Sequence, residues 1–471
     1  MVSPIEDQIA EVFWIQKSSL SRLKNTTHKE RIDKLRSIEK YMISHKKELF
    51  DALYDDFKKP SSEVILAELL GVKREIDHIC AHLKSWMKPQ KVDTPLLLLG
   101  TQGYVQMEAK GMCLIIAPWN YPFNLAICPL LLAIAAGNAV MLKPSELSPA
   151  TSTFIKKMIT SLFDRSEVAV FEGDAAVSTC LLDQKFDHIF FTGSPMIGKL
   201  VMKAAAEHLT SVTLELGGKS PAIIGPLADI EASAQKIAWG KFLNNGQTCI
   251  APDYVYVHEK HYFAFLEALE KSVNSFYNPD KKGVQQSKDY ARIVNSRHFS
   301  RIMNLVEDAK LHGANILFGG DTDEQDCFIA PTVLTNCHHD MKIMQEEIFG
   351  PILPILVYKD EQEIIDKLAR EEKPLALYIF SENEEFTQHI LKNTSSGGVV
   401  VNDCLIHYGH GELPFGGVNN SGIGKTGGKY GFIEFSNQKS VLIQHSRMMK
   451  FLYPPYQLKV RWMLDFILKW L

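Results

Sequence analysis

The alternation of strand and helix patterns after residue 111 restricts most strongly what this chain can fold into. Short apolar runs predict strands, and the segments between them carry apolar residues at helical spacing. In chain order the predicted elements are strand 112–117, helix 123–136, strand 139–142, helix 150–162, strand 168–171, strand 188–192, helix 196–208 and strand 211–216. A second series begins near Pro221 and runs to about residue 403. Such alternation predicts the α/β class, with parallel, doubly wound sheets.

The segment before this alternation has a different pattern. Residues 5–58 and 61–86 carry apolar residues at helical spacing between many Lys and Glu, which predicts amphipathic helices. Residues 89–105 are predicted to form a turn and two short strands that leave the globule. A chain of 471 residues should hold roughly two to three domains.

Composition is that of a globular enzyme and argues against several other classes. With 55 acidic and 51 basic residues the net charge is −4, so nothing predicts nucleic-acid binding. The eight cysteines show no CxxC pair and no metal-ligand spacing, so we expect reduced thiols of the cytoplasm and no metal. No secretory signal is predicted, because Glu6 and Asp7 come early. The uncharged run 125–142 is expected in the core, since Pro129 and Gly137 divide it into a buried helix and a short strand.

Residues 244–254 (NNGQTCIAPDY) set one cysteine, Cys249, among glycine and small polar residues. A thiol becomes a useful nucleophile when its pKa is lowered and a substrate can reach it. Gly246 would allow a close approach to the backbone beside the thiol, and Gln247 and Thr248 would keep the surroundings of that approach polar. Taken alone, Cys249 could equally be an ordinary half-buried cysteine.

Three other segments carry candidate polar groups. Asn120 follows a predicted strand and a proline, which would leave its amide free to donate at the edge of the sheet. Glu215 stands inside an apolar strand, where desolvation raises proton affinity and suits a general base. Glu346 and Glu347 precede Ile-Phe-Gly-Pro. The structural alternatives are a turn residue for Asn120, a salt-bridge partner for Glu215 and a solvated helix face for Glu346 and Glu347.

A candidate phosphate site lies where the strand before residue 193 ends and a helix begins. Gly193 and Ser194 would present backbone N–H groups at the helix N-terminus, and Gly198 follows at an interval that departs from the GxGxxG pattern. Pro195 suits the first helical turn but removes one donor. A literal GxGxxG at 422–427 follows a loop and not a strand, so we interpret it as a glycine-rich loop without phosphate.

In this order and spacing the segments resemble the aldehyde dehydrogenase superfamily, from about residue 10 to about residue 445. The cysteine segment ending in Ala-Pro-Asp-Tyr, Trp-Asn-Tyr-Pro at 119–122 and Leu-Pro-Phe-Gly-Gly at 413–417 look most like the class 3 branch. The resemblance implies that Cys249 attacks the aldehyde and that Asn120 and the Cys249 N–H donate to the oxyanion. It also implies that Glu215 activates the water that releases a carboxylic acid.

The resemblance also implies a dinucleotide cofactor, NAD, with NADP possible as in class 3 relatives. Lys143 and Glu146 match the family's contacts to the adenosine ribose, and a carboxylate there disfavours a 2′-phosphate. Glu347 matches the position for the nicotinamide ribose, and Phe349 matches the wall beside the nicotinamide.

By resemblance the fold is two doubly wound, Rossmann-like domains, for cofactor and catalysis, with a small β oligomerisation arm. The short N-terminus resembles dimeric members, so a homodimer is expected. Medium-to-long aliphatic or aromatic aldehydes are the implied substrates. The expected entrance residues are Tyr121, Thr248, His407, Tyr408 and His410. The expected divisions are 1–88 and 109–217 for the NAD(P)-binding domain, 218–404 for the catalytic domain, 89–108 and 405–450 for oligomerisation and bridging, and 451–471 for an amphipathic tail.

Two alternatives to this function stay open. A CoA-acylating dehydrogenase would pass the acyl group to a thiol, although the presence of Glu215 favours hydrolysis. A non-enzymatic structural protein could keep the fold, although retention of Cys249, Glu215, Asn120 and Glu347 argues against it.

The tail, residues 457–471, has an unusually wide apolar face. Arg461, Asp465 and Lys469 recur every four residues and form one narrow polar stripe on a helix. The segment is shorter than the about 20 residues that a membrane-spanning helix needs. It is therefore expected either to pack on the partner subunit or over the substrate funnel, or to lie as a peripheral helix in a membrane interface.

Overall fold

The computed structural model describes residues 4–445 and 453–470. Residues 1–3 of the predicted cofactor domain, residues 446–452 and Leu471 of the tail lie outside the described residues.

Amphipathic helices form the N-terminal part, as predicted. Thr27 opens the second helix with a capping box, in which its backbone N–H donates to Glu30 Oε2 (2.7 Å) and its hydroxyl accepts from the Glu30 N–H (3.3 Å). A π-helical stretch, Val64–Leu69, joins the fourth helix to the fifth. The elements are α1 (Pro4–Lys24), α2 (His28–Ser44), α3 (Lys46–Phe57), α4 (Ser61–Glu63), α5 (Leu70–Trp86), β1 (Gln90–Val92) and β2 (Thr101–Ala109).

The first βα series builds a parallel sheet. Its elements are β3 (Met112–Ile116), α6 (Asn124–Ala136), β4 (Ala139–Lys143), α7 (Pro149–Leu162), β5 (Val168–Val170), α8 (Ala175–Leu182), β6 (His188–Thr192), α9 (Pro195–Ala206) and β7 (Ser211–Glu215). The strand order is β7-β6-β3-β4-β5, and every pair is parallel.

Both faces of this sheet are covered, which is the doubly wound arrangement. Along β3, Cys113 and Ile115 join a core with α2, α3, α5, α6 and α7. Met112 and Leu114 join a second core with α1, α8 and α9. Since neighbouring residues of a strand point to opposite faces, a strand covered on both sides must be apolar throughout.

The second series builds a seven-stranded sheet of order β10-β13-β14-β9-β8-β15-β16. All its pairs are parallel except that of β10 with β13. Strands β11 and β12 pair with each other in a separate two-stranded sheet. The elements of the second series are β8 (Pro221–Ile224), α10 (Ile230–Phe242), β9 (Tyr254–His258), α11 (Tyr262–Tyr277), α12 (Ser296–Leu311), β10 (Asn315–Phe318), β11 (Thr322–Asp323), β12 (Phe328–Ile329), β13 (Thr332–Thr335), α13 (Lys342–Gln345), β14 (Ile352–Tyr358), α14 (Glu361–Arg370), β15 (Ala376–Phe380), α15 (Glu384–Asn393) and β16 (Gly398–Val401).

The last part of the chain returns to the first sheet. Its elements are β17 (Gly422–Ile423), α16 (Gly428–Glu434), β18 (Ser436–Gln444) and α17 (Leu458–Trp470). β17 pairs antiparallel with β7, and β18 pairs along its length with β2 in a three-stranded sheet, β1-β2-β18. Within the described residues, no helix has the length and apolar character needed to cross a bilayer.

The α/β class with parallel sheets is confirmed, and three local expectations were wrong. The run 125–142 does divide into a buried helix, α6, and a short strand, β4, but Pro129 lies inside α6 and takes no part in the division, which comes at Gly137 (φ 91°). The glycine-rich segment 422–427, interpreted as a loop, contributes strand β17. Helix α8 was not predicted, and its first turn is capped by Asp174, which accepts from the Ala176 N–H at 3.0 Å.

Candidate active site

Four predicted site residues lie at one edge of the first sheet. Lys143 ends β4, Glu215 ends β7, Gly193 directly follows β6, and Asn120 lies in the loop after β3. These strands are consecutive neighbours in the order β7-β6-β3-β4. Because parallel strands end on the same side, their carboxyl ends form the crevice in which doubly wound sheets bind ligands.

The turn before Cys249 requires residues that tolerate left-handed backbone. Asn244 and Asn245 have φ of 53° and 57°, and Gly246 has φ of 71°. Asparagine adopts this region more readily than most residues, and glycine does so without steric cost. A Cβ on Gly246 would lie 2.3 Å from the Gly350 carbonyl oxygen. Gly246 therefore lets the cysteine loop pack closely against the backbone at Gly350, while the predicted approach to the thiol stays a prediction.

Gln247 has a different role from the one predicted. Its side chain is fully buried and does not line the approach to Cys249. Nε2 donates to the carbonyls of Asn244 (3.1 Å) and Arg292 (2.9 Å), and Oε1 accepts from the Val294 N–H (3.0 Å). Gln247 therefore fixes the shape of the cysteine loop from behind.

The Asn120 side chain is bonded to the same loop. Its Nδ2 donates to the Gln247 carbonyl at 3.0 Å, and that carbonyl also accepts from Asn244 Nδ2 at 3.1 Å. Asn244 Nδ2 in turn lies 2.9 Å from the Asn120 carbonyl. A carboxamide carries two N–H donors, and the bond to Gln247 uses one of them.

Glu215 is buried, and neither of its carboxylate oxygens has a hydrogen-bond partner within the described part of the chain. Burial raises the pKa of Glu215 well above its ordinary value, and the Lys425 ammonium opposes this while Glu434 adds to it. Lys425 itself donates to the carbonyls of Gly416 and Gly417. The high proton affinity expected of a general base is thus present.

The environment of Cys249 differs from the expectation of a lowered pKa. Burial, followed by the charges of Glu347 and Glu215, raises the pKa of the thiol to about 12. The backbone N–H groups of Cys249 and Ile250 act in the opposite direction. The small polar neighbours in the sequence predicted a stabilised thiolate, but burial outweighs them. The thiol must therefore lose its proton to a nearby base before it attacks.

Cys249 and Glu215 line one cavity of about 450 Å³. Most of its wall is apolar, and four of the five predicted entrance residues belong to it. These are Tyr121, Thr248, Tyr408 and His410. His407 was wrongly predicted as an entrance residue; its ring packs against Phe415, with centroids 5.6 Å apart.

A buried ion pair that the sequence did not indicate supports this wall. Lys59 Nζ lies 2.8 Å from Glu68 Oε1 with both side chains fully buried, and 3.8 Å from the centroid of the Tyr121 ring. The Tyr121 hydroxyl bonds Thr248 Oγ1 at 2.7 Å. Lys59 is one of two consecutive lysines before a proline, and nothing in that pattern separates a buried lysine from a solvated one.

The predicted cofactor residues form a cradle at the ends of β4 and β6. Lys143 Nζ lies 2.5 Å from Glu146 Oε2, with the lysine buried and the glutamate exposed. Ser194 caps α9 by accepting from the Ile197 N–H at 3.4 Å. A Cβ on Gly198 would lie 2.7 Å from Leu216 Cδ2, so glycine allows α9 to approach β7 closely.

Glu347 and Phe349 lie across the crevice on the second series. A Cβ on Gly217 would lie 2.2 Å from Glu347 Oε2, so this carboxylate contacts the backbone just after Glu215. Burial raises the pKa of Glu347 to about 8, with Asp253 as a further cause. The Phe349 ring packs against Trp119 at 5.4 Å between centroids. The alternative of a solvated helix face fits Glu346, which is exposed, but does not fit Glu347, which is half-buried.

Sequence reasoning missed the groups that hold Glu347 in place. Lys219 Nζ pairs with Asp253 and donates to the carbonyls of Ile343 (2.8 Å) and Glu346 (2.9 Å). Arg301 Nη1 donates to the Glu347 carbonyl at 3.2 Å. Lys219 follows two glycines and Asp253 follows Ala-Pro in the cysteine segment, and neither pattern indicates the partner of the charged group.

This edge suits a dinucleotide. The Lys143–Glu146 pair can donate to and accept from ribose hydroxyls, and the N-terminus of α9 favours a pyrophosphate. Gly198 leaves no side chain between α9 and β7, and the Glu347 carboxylate can accept from a second ribose. The donor and acceptor set thus matches the two ends of NAD(P).

Comparison with known proteins gives the family. Residues 6–441 match the model of the aldehyde dehydrogenase family. The chain is 43% identical over 437 residues to 4,4'-diaponeurosporen-aldehyde dehydrogenase of Staphylococcus aureus (strain NCTC 8325 / PS 47), covering 93% of this chain and 94% of that protein. It is 43% identical over 443 residues to aldehyde dehydrogenase family 3 member A2 of Pongo abelii, covering 93% and 90%.

Solved structures agree. The substrate-bound state of Staphylococcus aureus AldH is similar with a TM-score of 0.92 and 41% identity, covering 98% of this chain and 99% of that chain. The NAD+ complex of aldehyde dehydrogenase from Bacillus cereus is similar with a TM-score of 0.84 and 28% identity, covering 94% and 89%.

The chain belongs to the aldehyde dehydrogenase family, and its similarity to family 3 members confirms the class 3 resemblance. It is an enzyme that oxidises aldehydes with NAD(P) as cofactor.

Proposed function

We propose that Cys249 is the nucleophile of this dehydrogenase, that Asn120 and the Cys249 N–H form the oxyanion hole, and that Glu215 is the general base. One observation supports this most directly: Cys249 and Glu215 line the same cavity, and Asn120 is bonded to the loop that carries Cys249. Among the described residues Cys128 also lines that cavity, but its thiol donates to Asn124 Oδ1.

The chain's own groups then act in sequence. Glu215, directly or through water, takes the proton of the Cys249 thiol, and the sulfur attacks the aldehyde carbon. The Asn120 amide and the Cys249 N–H donate to the tetrahedral oxyanion, a contribution of about 3 kcal/mol for one such donor. After oxidation to the thioester, Glu215 releases the thiol proton to solvent and then takes a proton from the water that releases the acid.

The cofactor supplies a hydride acceptor when bound. We assign the pyrophosphate to Gly193, Ser194 and Gly198, the adenosine ribose to Lys143 and Glu146, and the nicotinamide end to Glu347 and Phe349. This assignment follows the division into an NAD(P)-binding part (1–88 and 109–217) and a catalytic part (218–404).

Acyl transfer to CoA is the second candidate reaction. The buried Glu215 favours hydrolysis, because a thiol acceptor would not need a base held beside the thioester. Incubation of the pure protein with NAD and hexanal, with and without CoA, tests the choice. Free hexanoic acid as the product in both incubations is expected, and hexanoyl-CoA as the main product would overturn the assignment.

We propose medium-to-long aliphatic or aromatic aldehydes as the substrates. The apolar side chains Leu132, Trp239 and Phe415 line the cavity, and its volume of about 450 Å³ lies within the range of small-molecule sites. The named substrate of the Staphylococcus aureus relative, 4,4'-diaponeurosporen-aldehyde, is consistent with this class. In a series of linear aldehydes we expect kcat/KM to rise with chain length; a preference for acetaldehyde would contradict the assignment.

We propose a homodimer formed through the predicted arm, 89–108, and the bridging segment, 405–450. β18 is the edge strand of its sheet and exposes most of its side chains, so its free edge is available to a second copy. Light scattering at micromolar concentration should give a dimer, and a monomer or a tetramer would contradict this.

We propose that the apolar face of α17 is buried in the working enzyme, either against the partner subunit or in a membrane interface. Leu458 is 84% exposed, Trp462 79% and Leu468 84% in the single chain, which is too much apolar area to leave in water. Vesicle co-sedimentation of the full chain and of a version ending at Tyr456 tests the choice. Loss of vesicle binding on truncation supports the membrane contact, and loss of the dimer supports the subunit contact. We place the enzyme in the cytoplasm, since all eight cysteines are free thiols.

A further inference from the structure

A group of three metal-ligating side chains lies beside the wall of the cavity, apart from the catalytic residues. His78 and His82 are one turn apart on α5, and Glu412 follows the short 3₁₀ helix Ile406–Gly409. One ligand atom from each of the three lies within 4.8 Å of the others. Residues four apart share one face of a helix, so the two imidazoles point to the same place.

The hydrogen bonds within the described part of the chain leave one ring nitrogen of each histidine available to a metal ion. His82 Nδ1 lies 2.8 Å from the His78 carbonyl oxygen, which can only accept, so this nitrogen carries the proton and Nε2 keeps its lone pair. His78 Nε2 is buried and makes no hydrogen bond, although Glu412 Oε1 lies 3.4 Å away. Metal-bound histidines are typically oriented in this way, through a bond from the second ring nitrogen to a carbonyl.

We propose that His78, His82 and Glu412 bind a divalent transition-metal ion of the zinc type, in a site distinct from the catalytic centre. Two imidazole nitrogens and one carboxylate oxygen are a donor set that suits zinc, and they leave the fourth tetrahedral position to water. A hard cation such as Mg²⁺ is disfavoured, because it prefers oxygen ligands.

The position of the site suggests what the ion would do. His78 lines the cavity, and a Cβ on Gly411 would lie 3.1 Å from the His78 ring, so α5 and the segment 406–413 meet here. Leu405, Tyr408 and Leu413 of that region also line the cavity. An ion held by α5 and Glu412 would join two parts of the cavity wall and stabilise them against each other.

The test measures zinc binding in a form of the protein that lacks the catalytic thiol. Cys249→Ser removes the catalytic thiol as a competing ligand, and chelator-treated Cys249→Ser protein is titrated with ZnSO₄ by calorimetry. We expect one site per chain. Adding His82→Ala or Glu412→Gln should weaken the affinity by more than about tenfold. The matched control is His312→Ala, because His312 belongs to another surface pair with a carboxylate, Asp308 (3.7 Å).

A second measurement separates ligation from misfolding. Co²⁺ in place of zinc should give the visible absorption of a tetrahedral site in Cys249→Ser, and His82→Ala should lose it while the metal-free thermal midpoint stays unchanged. Unaltered zinc affinity in both ligand variants, or loss of affinity in His312→Ala as large as in His82→Ala, would overturn the proposal.

Discussion

Replacing Asn120 by alanine separates the catalytic role of this side chain from its structural role. The Asn120 amide makes one bond to the protein, from Nδ2 to the Gln247 carbonyl at 3.0 Å. That carbonyl keeps Asn244 Nδ2 as a second donor at 3.1 Å when Asn120 is shortened. No buried acceptor is orphaned, so the free energy of unfolding should fall by only about 1 kcal/mol.

The effect on rate should be much larger than the effect on stability. If the Asn120 amide donates to the oxyanion, its loss should lower kcat by about 10²–10³-fold, or about 3–4 kcal/mol of transition-state stabilisation. KM for the aldehyde should change little, since the donor acts on charge that develops during the reaction. Asn120→Asp should lose at least as much, because it keeps the size of the side chain and replaces the donor by an acceptor.

Steady-state kinetics with hexanal and NAD, together with urea unfolding, checks both numbers. Asn138→Ala is the matched control, because that buried amide also donates to a main-chain carbonyl, Phe435 O at 2.9 Å, but on the side of the sheet where β4 begins. The control should lose stability and keep kcat. A decrease of kcat below tenfold in Asn120→Ala, or an equal decrease in the control, would refute the oxyanion role.

Four further predictions follow from the site. Cys249→Ala should abolish dehydrogenation and ester hydrolysis while NAD binding survives, and turnover of hexanal above a tenth of the parent rate would contradict the nucleophile assignment. Glu215→Gln should give a burst of NADH in rapid mixing and then stall, whereas steady turnover at the parent rate would exclude the base. Because the Cys249 thiol (pKa about 12) and Glu215 (pKa raised well above its ordinary value) must lose protons to act, kcat/KM should rise as pH increases from about 6 to about 9, and a flat or falling profile would count against this order of events. Gly217→Ala places a Cβ 2.2 Å from Glu347 Oε2 and should raise KM for NAD more than KM for the aldehyde, so equal changes in both would argue against a cofactor role for Glu347.

The parts of this molecule that follow local rules were predictable. Strand runs bounded by helices predicted the parallel sheets, and once the strands are known to be parallel, the rule for strand ends accounts for Asn120, Glu215 and Gly193 at one edge. The turn at Gly246 could be anticipated because few residues accept its backbone. These inferences need only the chain in the immediate neighbourhood.

The parts that depend on distant packing were not predictable from one sequence. Lys59 is buried because Glu68 meets it in the fold, and Lys219 is half-buried because Asp253 and the carbonyls of residues 343 and 346 meet it. Strand β17 has two residues, too few for a periodic pattern. Pro129 is tolerated in α6 because almost every side chain of that helix is buried, which outweighs the cost of one lost backbone bond.

The raised pKa values of Cys249 and Glu215 have a common cause. Burial disfavours the charged form of each group, and the charge of Glu215 adds to the pKa of the thiol. Burying one negative charge on this pair of groups costs less free energy than burying two. A proton that passes from the sulfur to the carboxylate leaves one negative charge on the pair, so the net charge of the cavity stays constant.

This coupling explains how acylation and deacylation can be separated by a single substitution. Glu215→Gln removes a charge that raises the pKa of Cys249, so the thiol in the variant should be more acidic than in the parent. The thiolate needed for acylation therefore becomes easier to form even though its base is lost. The water that attacks the thioester gains no such help, because its proton has no acceptor once the carboxylate is gone. Titration of Cys249 reactivity against iodoacetamide should accordingly show a lower apparent pKa in Glu215→Gln, and a higher one would contradict the coupling.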